Sequence, residues 1–212
     1  VPALFRDREH AGELLAEALA GLPLAEDTVV LGLPRGGVPV ARRVADALGV
    51  PLDVLLVRKL GAPRHPEFAI GAVGEEGVRS VDDAAVRMLG VRPHELDEVE
   101  RRERAELERR LDTYRSGRPR VDLEGRPVVV VDDGVATGAT AAVACRIATR
   151  LGAGPITLAV PVAPLDWAAR LSPEAHTLVA VATPRDFWAV GRWYERFGQT
   201  SDAEVVAALD RH

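Results

Sequence analysis

A run that is apolar and β-branched at every position, Val128-Val129-Val130-Val131, ends abruptly in two adjacent carboxylates, Asp132 and Asp133. Gly134-Val135-Ala136-Thr137-Gly138-Ala139-Thr140, a turn of small and hydroxylated residues, comes next, and then an alanine-rich stretch suited to a helix. A strand with no polar face must be covered on both sides, as happens in parallel sheets flanked by helices. Open sheets of that kind bind ligands at the carboxyl ends of their strands, where the two acids fall. Residues Val135 to Thr140 can turn successive backbone N–H groups inward at the positive end of a helix, with the Thr137 and Thr140 hydroxyls beside them. That is a nest for a phosphate dianion. Asp132 and Asp133 can accept hydrogen bonds from neighbouring hydroxyls, as on a ribose, or approach a hydrated Mg2+. A single ligand with both a sugar diol and a phosphate would satisfy both parts. An ATP-type phosphate loop is excluded, because no Gly-Lys-Ser/Thr follows the glycines.

The rest of the chain alternates strand and helix signals around this unit. Arg8 to Ala20 has helical spacing and stops at Gly21 and Pro23. Thr28 to Leu33 and Leu52 to Val57 read as short buried strands, with a helix from about Val38 to Leu48 between them. Phe68 to Val73 and Val78 to Val81 look like a hairpin around Glu75-Glu76-Gly77. A short helix follows from Asp82 or Asp83 to Leu89, then a charge-dense one from about Pro93 to Tyr114. Beyond the acids come helix 138–151, strand 155–160, helix 164–171, strand 177–182, an aromatic segment at 184–198 and a last helix. Ser201-Asp202-Ala203-Glu204 is a capping-box signature for that final helix. This alternation predicts an α/β fold with a doubly wound, mostly parallel sheet and right-handed crossovers.

Two further loops fall where such a fold would hold a ligand. In Leu33-Pro34-Arg35-Gly36-Gly37-Val38-Pro39 the paired glycines let the backbone approach an anion, and Arg35 can add a forked donor. Arg58-Lys59-Leu60-Gly61-Ala62-Pro63-Arg64-His65-Pro66 is rich in breakers and cations and reads as a loop, with Glu67 beside it. Lys59 is the only lysine among the cations of a chain that otherwise uses arginine. A compact ammonium suits a point contact on a phosphate, or on a charge that moves during reaction.

Residues 128–140 resemble the 5-phosphoribosyl-1-pyrophosphate (PRPP) motif of the type I phosphoribosyltransferases: apolar strand, two acids, two variable residues, and a Thr-Gly-x-Thr loop. The resemblance implies that Asp132 and Asp133 hold the ribose hydroxyls while Val135, Ala136, Thr137, Gly138, Ala139 and Thr140 hold the 5′-phosphate. Pro34-Arg35-Gly36-Gly37 is similar to the family's pyrophosphate loop, in which a cis peptide is common. The Arg58-Lys59 segment is similar to the mobile loop that closes over PRPP. Catalysis would then rest on Asp132, Asp133, Arg58 and Lys59, with Arg35, Gly36 and Gly37 joining the two cations on pyrophosphate. Mg2+ would be held mainly by PRPP, with water-mediated contact to Asp132 and Asp133.

The same resemblance implies one domain over residues 1–212, with a helical insertion at about 82–118 and a small hood at about 183–200. The hood would cover a nucleobase-like acceptor, with Phe187 or Trp188 stacking on it. Members acting on 6-oxopurines often carry an acid before the loop threonine, where this chain has Ala136, so the acceptor base is left unnamed. The implied activity is Mg2+-dependent transfer of phosphoribosyl to a nitrogen heterocycle. A non-catalytic PRPP-binding sensor of the same fold is the alternative.

Composition narrows the partners. With 47% hydrophobic and 28% charged residues the chain is globular. A net charge of -5 gives no support to bulk nucleic-acid binding. We expect no signal peptide, no membrane span and a cytoplasmic location. Cys145 allows no disulfide within the chain and reads as a buried, inert thiol. The charged helix carries Leu96, Val99, Leu107, Leu111 and Tyr114 near one face, with Glu and Arg elsewhere. We expect a solvated arm with intrahelical ion pairs, or a homodimer element.

Overall fold

The computed structural model describes residues 2–210. Its centre is a five-stranded, wholly parallel sheet built from β1 (Val29–Gly32), β2 (Leu52–Val54), β6 (Val128–Val131), β7 (Ile156–Val162) and β8 (Thr177–Ala182), in the order β2-β1-β6-β7-β8. All four valines of β6 are buried because the strand is covered twice. Val129 and Val131 face Leu15 and Leu19 of α1 (Arg8–Leu19) and Val40 and Val44 of α2 (Gly37–Leu48). Val128 and Val130 face Val143, Cys145 and Ile147 of α5 (Ala139–Arg150). The period-two alternation of a strand thus separates one run of valines into two cores.

This arrangement fixes where a ligand can enter. β1 feeds α2 on one face and its neighbour β6 feeds α5 on the other, so the loops leaving these two strands part company between them. That crevice is a topological switch point. Parallel register sets Gly32 opposite Val131, which brings the loop after β1 beside the acids after β6.

A second, antiparallel sheet joins β3 (Val57–Ala62), β4 (His65–Gly74) and β5 (Arg79–Val81). The predicted hairpin around Glu75–Gly77 is the β4–β5 pair. The cationic segment read as a loop is instead strand β3, paired with β4 through a tight turn at Pro63 and Arg64. Its breakers are accommodated locally. The register shifts on both sides of Gly61, and Pro66 falls in the unpaired interval between His65 and Ala69. A Cβ on Gly61 would meet the Pro66 carbonyl oxygen at 2.6 Å, so a glycine permits this close approach.

The remaining helices are α3 (Asp83–Met88), α4 (Pro93–Arg115), α6 (Trp167–Leu171, shorter than predicted) and α7 (Asp202–Asp210). The expected capping box opens α7: the Ser201 amide donates to Glu204 at 2.7 Å and the Glu204 amide to the Ser201 hydroxyl at 3.2 Å. Helix α4 is docked along its length. Leu96 and Val99 pack on Leu60, Ile70 and Val73 of the small sheet, while Leu107 and Tyr114 pack with Val54, Leu56, Val205 and Leu209. Its charges are partly intrahelical, as in Arg104–Glu100 and Arg110–Glu106, and partly reach across to the small sheet, as in Arg58–Glu103 and Arg79–Glu100. Cys145 is fully buried, and burial pushes its thiol up to about 12. No described helix is long and apolar enough to cross a membrane.

Candidate active site

Two sequence-predicted loops, distant in the chain, interlock at the switch point. The Pro34–Arg35 peptide is cis, and Gly36 caps α2. A methyl group at Gly36 would overlap the Asp133 carboxylate, and one at Gly37 would lie 2.7 Å from the Val131 carbonyl oxygen and 2.8 Å from the Asp132 Cα. Both glycines are therefore dictated by contact with the acids, since any side chain would displace them.

Asp132 Oδ1 accepts a hydrogen bond from the Asp133 amide at 2.9 Å, and the Asp133 carbonyl accepts one from the Tyr194 hydroxyl at 2.6 Å. Asp133 Oδ2 takes the Arg8 guanidinium at 2.8 Å. Burial pushes the Asp132 carboxyl well above its ordinary range, and the neighbouring Asp133 charge adds to the shift. Burial also raises Asp133, against the opposing pull of Arg8. Two desolvated acids side by side favour a partner that brings hydroxyl donors or positive charge.

The loop after the acids divides by role. Val135 does not offer the inward N–H expected of it: its amide donates to the Val162 carbonyl at 2.9 Å and its side chain is buried. It anchors the loop. Ala136, Thr137, Ala139 and Thr140 are exposed, and Gly138, at φ 85°, caps the N-terminus of α5. Arg170 holds the outer side, donating to the Thr137 carbonyl at 3.0 Å and the Ala136 carbonyl at 3.3 Å. What remains is a helix N-terminus bordered by two hydroxyls, which suits an anion.

Of the predicted cations, Arg35 lies in the interlocked loop, 3.8 Å from Asp202, whose carboxylate also accepts from the Tyr114 hydroxyl at 2.7 Å. In this structure Arg58 and Lys59 lie apart. Neighbouring residues of a strand point to opposite faces. Arg58 is turned to α4, where its Nε donates to Glu103 at 3.0 Å, and Lys59 is exposed on the other face of the hairpin. Arg64 pairs with Glu95 on the same helix. The Glu67 side chain lies outside those described. In the aromatic segment, Phe187 is half-buried against the core cluster that contains Val162 and Trp193, while Trp188 stands 81% exposed.

Sequence reading missed Arg8, Tyr194 and Arg170. No local pattern marks them, since each reaches the site from another element. Among the described residues no cluster of three or more His, Cys, Asp or Glu side chains could hold a metal. Asp132 and Asp133 offer two carboxylates, a set that could hold Mg2+ only together with waters or ligand oxygens. A cavity of about 560 Å³, bordered by Arg42, Asp53, Tyr114 and Arg115, opens at the β2 edge and shares no residue with this cluster.

At its switch point the open parallel sheet joins a di-acid, a helix N-terminus suited to an anion and a glycine-paired loop. The chain belongs to the phosphoribosyl transferase domain family, whose model matches residues 8–191. Two Mycobacterium tuberculosis proteins, from strains CDC 1551 / Oshkosh and ATCC 25618 / H37Rv, are each 54% identical to it over 98% of the chain and carry the name "Putative phosphoribosyl transferase". The chain spans about half the length of these curated relatives, covering 47% of each. It is also similar to the crystal structure of TT1426 from Thermus thermophilus, with a TM-score of 0.83, 49% identity and 97% of both chains covered.

Proposed function

We propose that this chain transfers the 5-phosphoribosyl group of PRPP, with Mg2+, to a nucleobase or related nitrogen heterocycle, releasing pyrophosphate. The observation that carries this reading is the interlock of Gly36 and Gly37 with Asp132 and Asp133. It supports a diphosphate at one end of a ribose and the sugar diol beside it. Asp132 and Asp133 orient the 2′ and 3′ hydroxyls. The 5′-phosphate sits on Ala136 to Thr140 at the start of α5, and pyrophosphate on the Arg35-Gly36-Gly37 backbone and the Arg35 guanidinium. Lys59, with Arg58 once it leaves Glu103, closes over the pyrophosphate.

The acceptor nitrogen lone pair forms the bond to C1 of the ribose as the C1–O bond breaks, and that electron pair leaves on pyrophosphate. The proton on the acceptor nitrogen is released to solvent or a nearby base. Bound Mg2+ supplies charge neutralisation on the leaving group. The chain's own residues hold the reactants in line and shield a ribose that becomes cationic, with the acid pair nearby to offset its charge. Trp188 is the stacking surface for a flat acceptor. A single buried thiol and an acidic balance agree with the cytoplasm as the compartment.

The test is pyrophosphate release from PRPP and Mg2+ with a panel of purine and pyrimidine bases, alongside an Asp132→Asn/Asp133→Asn variant. Base-dependent release in the parent, lost in the variant, is the expected result and names the acceptor. Binding of PRPP with no release on any base would favour a sensor. No binding of PRPP would refute the reading.

A further inference from the structure

Arg8 opens α1 and lies far from the acids in sequence, yet its side chain is the hub of the site's rim. Its Nε donates to Asp133 Oδ2 at 2.8 Å, its Nη1 donates to the Gly198 carbonyl at 2.7 Å, and its guanidinium lies 4.0 Å from the centre of the Phe197 ring. Around it the start of the chain is strapped to the segment 193–198. The Glu195 amide donates to the Phe5 carbonyl at 2.8 Å, the Arg196 amide to the Arg6 carbonyl at 2.9 Å, and Asp7 pairs with Arg196. Tyr194 reaches from the same segment to the Asp133 carbonyl, and its ring lies tilted between those of Phe5 and Phe197, with centroids at 5.1 and 4.8 Å.

We propose that Arg8 is a positioning residue for the sugar-binding acid: it fixes the rotamer of Asp133 and ties that rotamer to the closed rim. The proposal rests on the PRPP reading above and adds a residue which that reading does not contain. An ionised carboxylate has about four lone-pair sites, so one bond to Oδ2 leaves acceptor capacity for ribose hydroxyls. The bond has a direction, because the space Gly36 leaves open is filled by this carboxylate with the Arg8 Nε beside it. A guanidinium can serve two acceptors and a ring face at once through its planar fork; an ammonium can keep the charge but not that geometry. Arg8 thus acts on the sugar end of the ligand. The pyrophosphate end is held by the backbone of residues 35–37.

Calorimetric titration with Mg2+ present tests this, using PRPP, ribose 5-phosphate and inorganic pyrophosphate as separate probes. Loss of a charge-assisted bond predicts that Arg8→Ala weakens PRPP and ribose 5-phosphate by roughly ten- to a hundredfold while pyrophosphate changes by less than about threefold. Arg8→Lys, which keeps the charge but not the planar fork, should fall between. Unchanged or tighter ribose 5-phosphate binding in Arg8→Ala would overturn the positioning role. So would an equal loss on all three probes with a lowered melting temperature, which marks a scaffold residue. A parent protein that binds no PRPP overturns the underlying reading and this proposal together, which separates the two failures.

Discussion

Asp133 is gripped from three sides, by Arg8 at its carboxylate, by Tyr194 at its carbonyl and by the bare Cα of Gly36. Only the glycine was legible in the sequence, as half of a pair in a strand-to-helix loop. The reason for it was not, because spacing along a chain says nothing about which carboxylate will occupy the missing methyl's place. Gly36→Ala should therefore move Asp133 and damage ligand binding more than folding. Overpacking at such a site costs about 1–3 kcal/mol. The expected outcome is a small drop in melting temperature with a PRPP affinity loss of tenfold or more, read by thermal melting and calorimetry on one preparation. A large stability loss with intact affinity in the surviving folded protein would refute this account.

At the level of elements, periodicity was a reliable guide where one face or both faces of an element were buried. The valines of β6, the stripe of α1 and the capping box of α7 all stand where the pattern set them. It failed at β3, where Gly61, Pro63 and Pro66 imitate a loop. A bulged antiparallel pairing absorbs them, and bulges leave no periodic trace. That error hid the separation of Arg58 from Lys59. Because Arg58 rests on Glu103, binding of an anion by Arg58 must compete with that pair. Partly exposed ion pairs are worth up to about 1 kcal/mol, so Glu103→Gln should tighten pyrophosphate binding by up to about fivefold. Titrating inorganic pyrophosphate into both proteins checks this, and weaker binding in the variant would show that Glu103 supports Arg58 instead of restraining it.

For the molecule as a whole, the alternation of strands and helices announced a doubly wound parallel sheet, and one register, Gly32 beside Val131, then determines which loops can meet. The rim was illegible because it is made of long-range contacts between residues 5–8 and 193–198, with no shared pattern to join them. Cys145 offers a global reading of how firmly this assembly closes, since it lies between α5 and the sheet in the larger core. Its thiol is held at about 12 against an ordinary 9.0. A raised folded value means stability is intact below pH 9 and declines from there towards 12, as the unfolded chain ionises first. In the native protein at pH 8 a thiol reagent should label Cys145 only at the rate of large-scale opening, and immediately in denaturant. Fast native labelling would place the opening locally, at α5.

Three indoles stand in very different surroundings: Trp167 at 4% and Trp193 at 3% exposure are sealed in separate cores, while Trp188 is 81% exposed. To a water-borne quencher such as iodide, two of these fluorophores are invisible and one is not. Given the stacking role proposed for Trp188, the protein carries its own optical gauge of acceptor binding. Shielding of that one emitter, followed as candidate heterocycles are added, would rank acceptors without labels or turnover.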